Sequence, residues 1–230
     1  MMLFKFSSSD VLNSALLNAS TGRLEYTIST HPHFTSAKNS CGRSQMVPAR
    51  RSFLLDSAGV KLASWGWTLG MQPTDVIIGR ERLGGAKDLF GCMGPSPSPK
   101  IFGVSTRFDP DYYWVASADS LTLLHQNTNE IKGQLHHSCV LVGSRIVHSP
   151  LLAGNDYLEL ESHPRVSDQE LIVTFILMEI LRRNRFANAP APSRPSYPLF
   201  SSPLLKSNLL RSTGERLRRV GRGLTLRTAV

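Results

Sequence analysis

From Leu171 to Leu181 the chain reads Leu-Ile-Val-Thr-Phe-Ile-Leu-Met-Glu-Ile-Leu, apolar on every side of a helix. A helix with no polar face has to be enclosed, by protein or by lipid. This run, with Glu179 inside it, falls well short of the roughly 20 apolar positions that a bilayer crossing takes. The pattern predicts a core helix over about 168–185, wrapped by strands of its own chain. Ser167-Asp168-Gln169-Glu170 has the form of a capping box at its start, with Val166 and Leu171 in the positions of a hydrophobic staple. Asp168 and Glu170 suit the positive end of the helix dipole; Arg182, Arg183 and Arg185 suit the negative end.

Before this helix the dominant period is two. Leu24, Tyr26 and Ile28 alternate with Glu25, Thr27 and Ser29, as in a half-buried strand. Ser52–Leu55 and Val60–Trp67 read as a hairpin turning at Asp56-Ser57-Ala58-Gly59, where Gly59 suits a positive φ. Asp75–Ile78 is a short strand stopped by Gly79, and residues 82–100, rich in Gly and Pro, read as a mobile loop. Strands resume at Val104–Phe108, Tyr112–Ala116, Leu121–Gln126, Ile131–His137, Cys139–Val142, Ile146–His148 and Tyr157–Glu161. Short strands separated by regular turn signals predict a sandwich, a barrel or a strongly curled antiparallel sheet.

The net charge of +9 changes meaning once it is divided. Residues 1–185 carry 18 Lys/Arg against 16 Asp/Glu, whereas residues 186–230 carry 8 against the single Glu215. The body, 1–185, is thus one nearly neutral domain, and 186–230 is a Pro/Ser/Arg-rich tail expected to be disordered. Ser212-Thr213-Gly214-Glu215 could cap one short basic helix within it. Cys41, Cys92 and Cys139 are odd in number and widely spaced, which predicts reduced thiols. The apolar patch at Met1–Phe6 is too short for a signal-peptide core. The expectation is an intracellular, cytoplasmic protein with neither signal peptide nor transmembrane helix.

The order Tyr26-Thr-Ile-Ser-Thr30, Val60-Lys-Leu-Ala-Ser-Trp65, Asp75-Val-Ile-Ile-Gly79 and Phe108-Asp-Pro-Asp-Tyr-Tyr-Trp114 ends in the helix 168–183 with Glu179 and Arg182-Arg183. It resembles a large fungal domain-of-unknown-function family whose members look like small tubby-type barrels. The tubby C-terminal domain and the LURP-one/scramblase-like proteins are related barrels. The likeness runs from about Leu3 to Arg185 and rests on the order of several weak motifs. It implies a tubby-like antiparallel β-barrel around a C-terminal hydrophobic helix, with no catalytic residues. Some tubby relatives bind phosphoinositides, but no position here maps onto their basic site. The chain departs from the family at Asp109-Pro110-Asp111, where a Gly is common, and in the segments 82–100 and 186–230.

Candidate chemistry is sparse. His31-Pro32-His33 and His136-His137 have no Cys or carboxylate at a supporting spacing for zinc. Asp109 and Asp111 read as a turn, Glu159 and Glu161 as a solvated strand face. There is no Gly-x-Ser-x-Gly elbow, and Gly79-Arg-Glu-Arg-Leu-Gly84 lacks the Lys-Ser/Thr of a phosphate loop. Trp65 with Trp67, and Tyr112 with Trp114, each share a strand face and read as core. The expectation is a non-enzymatic binding or scaffolding module without cofactor or metal. One alternative is peripheral attachment to an anionic phospholipid surface through Arg211, Arg216, Arg218, Arg219 and Arg222. The other is an enzyme whose site no motif reveals. The partner is then an anionic membrane or a protein on the basic tail; nucleic acid would want cations interleaved with the aromatics.

Overall fold

The first and last strands meet in the middle of one sheet. The structure, a computed structural model, describes residues 1–38, 42–67, 72–90, 101–143, 145–148 and 154–186. Met2–Phe6 (β1) and Ser14–Asn18 (β2) come first, then a long hairpin of Leu24–Lys38 (β3) and Ser44–Asp56 (β4). Lys61–Trp67 (β5), Pro73–Ile78 (β6), Glu81–Gly85 (β7) and the short helix Ala86–Leu89 (α1) complete the first half. The second half holds Ile101–Ser105 (β8), Tyr112–Ser117 (β9), Leu121–His125 (β10), Ile131–Val142 (β11), Arg145–His148 (β12) and Asn155–Leu160 (β13). The helix Asp168–Phe186 (α2) closes it.

All strand pairs are antiparallel, in the order β7-β6-β5-β4-β3-β2-β1-β13-β11-β10-β9-β8, with β12 laid on the far half of β11. Two meanders are therefore sewn together where β1 pairs with β13, from Met2 opposite Leu160 to Lys5 opposite Tyr157. The two terminal strands, β7 and β8, have no ladder between them, so the sheet is open and not the closed barrel that the motifs suggested. A single bridge, Phe90 to Thr106, and the Arg107 N–H to Leu89 carbonyl bond at 3.2 Å tie the described chain beyond β7 to that beyond β8.

The helix is enclosed as expected. α2 packs on β5 and β6 from one limb of the sheet and on β9 and β10 from the other, which requires the sheet to curl around it. Every residue from Leu171 to Phe175 and on to Glu179 is fully buried. Phe175 sits between Phe6 and Trp114, with ring centroids 6.1 Å away on both sides. Trp65, Trp67 and Trp114 all belong to this core. Trp67 donates its indole N–H to Ser52 Oγ at 2.7 Å, while the indole N–H groups of Trp65 and Trp114 have no acceptor. Among the described residues no helix is long and apolar enough to cross a membrane.

Several boundaries differ from the sequence pattern. β1 and β2 were not foreseen, because each offers only a few apolar residues and their partners lie far along the chain. Residues 82–90 are not loop: Leu83, Leu89 and Phe90 are buried, so β7 and α1 are held by the core. Residues 91–100 lie outside the described residues, as do Cys41 and Cys92 and the tail from 187. Strand β8 stops at Ser105 because the Thr106 hydroxyl turns the chain, bonding the carbonyls of Asp109 (2.8 Å) and Tyr112 (3.2 Å). Tyr157 is buried with Leu158 and Leu160, although it shares a strand face with Glu159. The helix runs one residue past 185, to Phe186, whose ring packs on Phe102.

Candidate functional site

Half of the capping box forms: the Glu170 N–H reaches Ser167 Oγ at 3.3 Å. The Glu170 side chain does not turn back to Ser167. Arg107 takes it instead, through Nε (2.7 Å) and Nη2 (3.0 Å), and grips Glu81 of β7 with Nη1 at 2.6 Å. One guanidinium thus ties the β8–β9 turn to the edge strand β7 and to the start of α2. The Arg107 bond holds the Glu81 carboxyl below its ordinary value, and the two carboxylates hold Arg107 above its own.

At the other end of the helix Glu179 is fully buried. It accepts from Arg182 Nε (2.6 Å), Arg182 Nη2 (2.7 Å) and Arg183 Nε (2.7 Å). Arg182 also bonds the carbonyls of Ser117 and Ala118 in the β9–β10 turn, and its Nη2 faces His137 Nε2 at 3.4 Å. A guanidinium can only donate, so His137 Nε2 accepts and its Nδ1 carries the proton toward Asp156 Oδ2, 3.3 Å away. Burial pushes the Asp156 carboxyl up, but His137, the Ser138 N–H and Arg183 outweigh it, leaving the carboxyl below its ordinary value. Arg182 and Arg183 therefore serve an internal ion pair more than the helix dipole.

The carboxylate pairs are divided among separate partners. Asp109 accepts the Asp111 N–H at 2.9 Å, the turn read from sequence, and faces His163 Nε2 at 3.4 Å. His163 is wedged between Phe108 and Tyr112, with its Nδ1 accepting the Arg165 N–H at 3.1 Å. Glu159 pairs with His136 and Glu161 with Lys132, each across to β11. His31 and His33 are exposed on β3. Among the described residues no group of three or more His, Cys, Asp or Glu could hold a metal ion. A depression of about 500 Å³ lined by Thr74, Asp75, Arg82, Leu83 and Gly84 lies at β6 and β7. Its charges are already paired, Asp75 with Arg51 at 2.9 Å and with Arg82 at 2.6 Å. Arg211, Arg216, Arg218, Arg219 and Arg222 lie outside the described residues.

One surface stands apart. β3 leaves β2 after Ile28, and β4 leaves β5 beyond Arg50, so among the described residues 31–38 and 44–49 pair only with each other, as a two-stranded ribbon. Cross-strand partners share a face. The pairs Pro32–Arg50, Phe34–Pro48 and Ser36–Met46 therefore look the same way, and all six residues are exposed. Phe34 is 60% and Met46 61% accessible. The opposite face carries His31, His33 and Thr35 against Arg51, Ala49 and Val47, all three half-buried.

Both edges of this ribbon are blunted. In an antiparallel pair, alternate residues point their N–H inward and outward. The Thr30 N–H points outward, to Asn13 Oδ1 at 2.9 Å, so positions 32 and 48 have outward-facing nitrogens too. Both are proline, and neither offers a donor to an added strand. From Tyr26 to Leu55 there is no Asp or Glu, while Lys38, Arg43, Arg50 and Arg51 supply four cations. The apolar positions 32, 34 and 46, 48 alternate, but each run contains a proline, a residue that demotes a strand pattern. Compared with protein-family models, with curated proteins and with solved structures, the chain finds no match.

Proposed function

We propose that this chain is a non-enzymatic binding or scaffolding module that engages its partner through the exposed face of the β3–β4 ribbon. The observation that carries the reading is the contiguous set Pro32, Phe34, Met46 and Pro48, exposed on a ribbon that no third strand joins among the described residues. A lone pair of strands is marginal in water, and an apolar patch on it gains from being covered. Phe, Met and Arg are also the residue types that interface centres favour. The carboxylates Asp109, Asp156, Glu159 and Glu179 each bond a different structural partner, so they support packing and not a common substrate.

Kinship with tubby-type barrels belongs to the same proposal. A curl of antiparallel strands about a C-terminal apolar helix supports it, as do the motifs at Tyr26, Trp65 and Tyr112–Trp114. The tail arginines Arg211 to Arg222 keep an auxiliary role, adding attraction to an anionic partner.

A photoreactive side chain placed at Phe34, and separately at His33 on the opposite face, tests the reading inside cells. The expected result is an abundant adduct from position 34 and little from position 33. Equal yields from both faces, or none from either, would overturn it.

A further inference from the structure

We propose that the occupant of the ribbon face is the interface of an anionic phospholipid bilayer, with Phe34 and Met46 entering the boundary between headgroups and acyl chains. The inference rests on the ribbon being the binding face, and it names what that face binds.

Three observations select the occupant. The first is the pair of prolines: with no outward N–H at 32 and 48, a strand from another protein finds a broken edge. Docking on the face needs no such edge. The second is charge. The ribbon carries no acid, and Arg50 stands exposed on the docking face while Arg51 is paired with Asp75. A second copy would bring Arg50 toward Arg50 with no carboxylate to meet it. An anionic surface meets it favourably, and exposed Arg50 lies beside Phe34 and Pro48 on the docking face. The third is size. From position 32 to 36 the patch runs about 13 Å along the strand and is only two strands wide. A stable protein interface takes roughly 800 Å² per partner, more than three residue pairs supply. A fluid interface sets no such minimum and needs no pocket, because its apolar depth admits side chains to about 5–10 Å. Nucleic acid fits less well, since the face offers one exposed cation, Arg50, beside an apolar patch where a phosphate backbone wants several cations.

The full-length chain would be sedimented with vesicles of equal parts phosphatidylcholine and phosphatidylserine, and with vesicles of phosphatidylcholine alone. It is expected to bind the first and not the second. Phe34→Ser/Met46→Ser should weaken binding about tenfold or more while leaving the thermal midpoint unchanged, because both side chains are exposed in the free protein. Arg50→Gln should weaken it about fivefold, with the gap narrowing as salt rises. A Phe34→Trp variant adds a direct readout, since Trp65, Trp67 and Trp114 are all buried. Its emission should move to shorter wavelength on the mixed vesicles and be quenched by lipids brominated in the acyl chain.

Wild-type binding by the double serine variant, or no sedimentation of the wild type, would overturn the proposal. So would a wild-type dimer that the double variant turns into a monomer, because the occupant would then be a second copy. Cross-linking from position 34 to protein, with no vesicle binding, would remove the lipid and leave the module reading standing. No cross-link and no vesicle binding would remove both.

Discussion

Gly154 lies against Ser138 so closely that a Cβ on it would sit 2.2 Å from the Ser138 carbonyl carbon and 2.5 Å from its oxygen. The contact marks the bulge where the β11–β13 register slips between His136 and Cys139. Ser138 adopts a φ of 51° there, and its N–H is taken by Asp156 Oδ1 at 3.1 Å. All the atoms in the way are backbone and cannot rotate aside. Gly154→Ala is expected to cost about 3 kcal/mol, at the upper end for overpacking. Urea titration of the pair would show it, and a loss below that of Gly59→Ala, which meets strain in φ but no neighbour, would refute the account.

The Glu179–Arg182 pair should behave as a buried ion pair does. Glu179→Leu leaves a guanidinium without its counter-charge in the core and is expected to cost about 3–5 kcal/mol. Adding Arg182→Met should restore part of that, but not all, because the carbonyls of Ser117 and Ala118 then lose their donor. A double-mutant cycle measured by denaturant unfolding reads the coupling. Additive losses would mean the two side chains do not depend on one another.

Besides the solvent-exposed Glu130, three carboxyls are held below their ordinary values, and acid should unfold the domain through them. They are Asp156, Asp75, where Arg51 and Arg82 outweigh the upward push of burial, and Glu81, bonded by Arg107. A carboxyl lowered by folding stabilises fully above its unfolded value, near 4, and stops doing so as pH falls through its folded value. The contribution should therefore be level above about pH 5 and decline below about pH 4. Asp156 should dominate, its side chain being 13% accessible while Glu81 is 53% accessible and screened by water. Unfolding midpoints at stepped pH should show a shallower acid limb in Asp156→Asn. An unchanged limb would count against the assignment.

Phe175 is the point where the two meanders touch the same ring, through Phe6 on one side and Trp114 on the other. Phe175→Ala is expected to lower stability by about 3–5 kcal/mol. Amide exchange should rise in β1 and β9 together. Acceleration confined to one of them would show that the halves are less coupled than the packing implies.

The helix was legible because its signal is local and complete: eleven consecutive residues fix both the element and its burial. The hairpin turn at Gly59 and the turn at Asp109–Asp111 were legible for the same reason, and φ of 80° at Gly59 bears out the first. What stayed hidden depends on partners far away. Met2–Phe6 is strand because Tyr157–Leu160 lies beside it, and nothing within five residues says so. Glu170 was read with Ser167 as a reciprocal cap, but Arg107, distant in sequence, competes for its carboxylate and wins with two bonds. The ribbon face was hidden differently, since Pro32 and Pro48, the residues that break a strand prediction, are the ones that protect this strand pair from others.

Because Met2–Lys5 takes its hydrogen bonds on one side from Tyr157–Leu160, the ribosome has delivered nearly the whole domain before the first strand can find that partner. Until then the N-terminal meander waits without the apolar rod that fills it. Such late closure belongs to slow folding and to reliance on chaperones during synthesis. Pulse-chase proteolysis of stalled nascent chains should find protection only once residue 186 has left the exit tunnel.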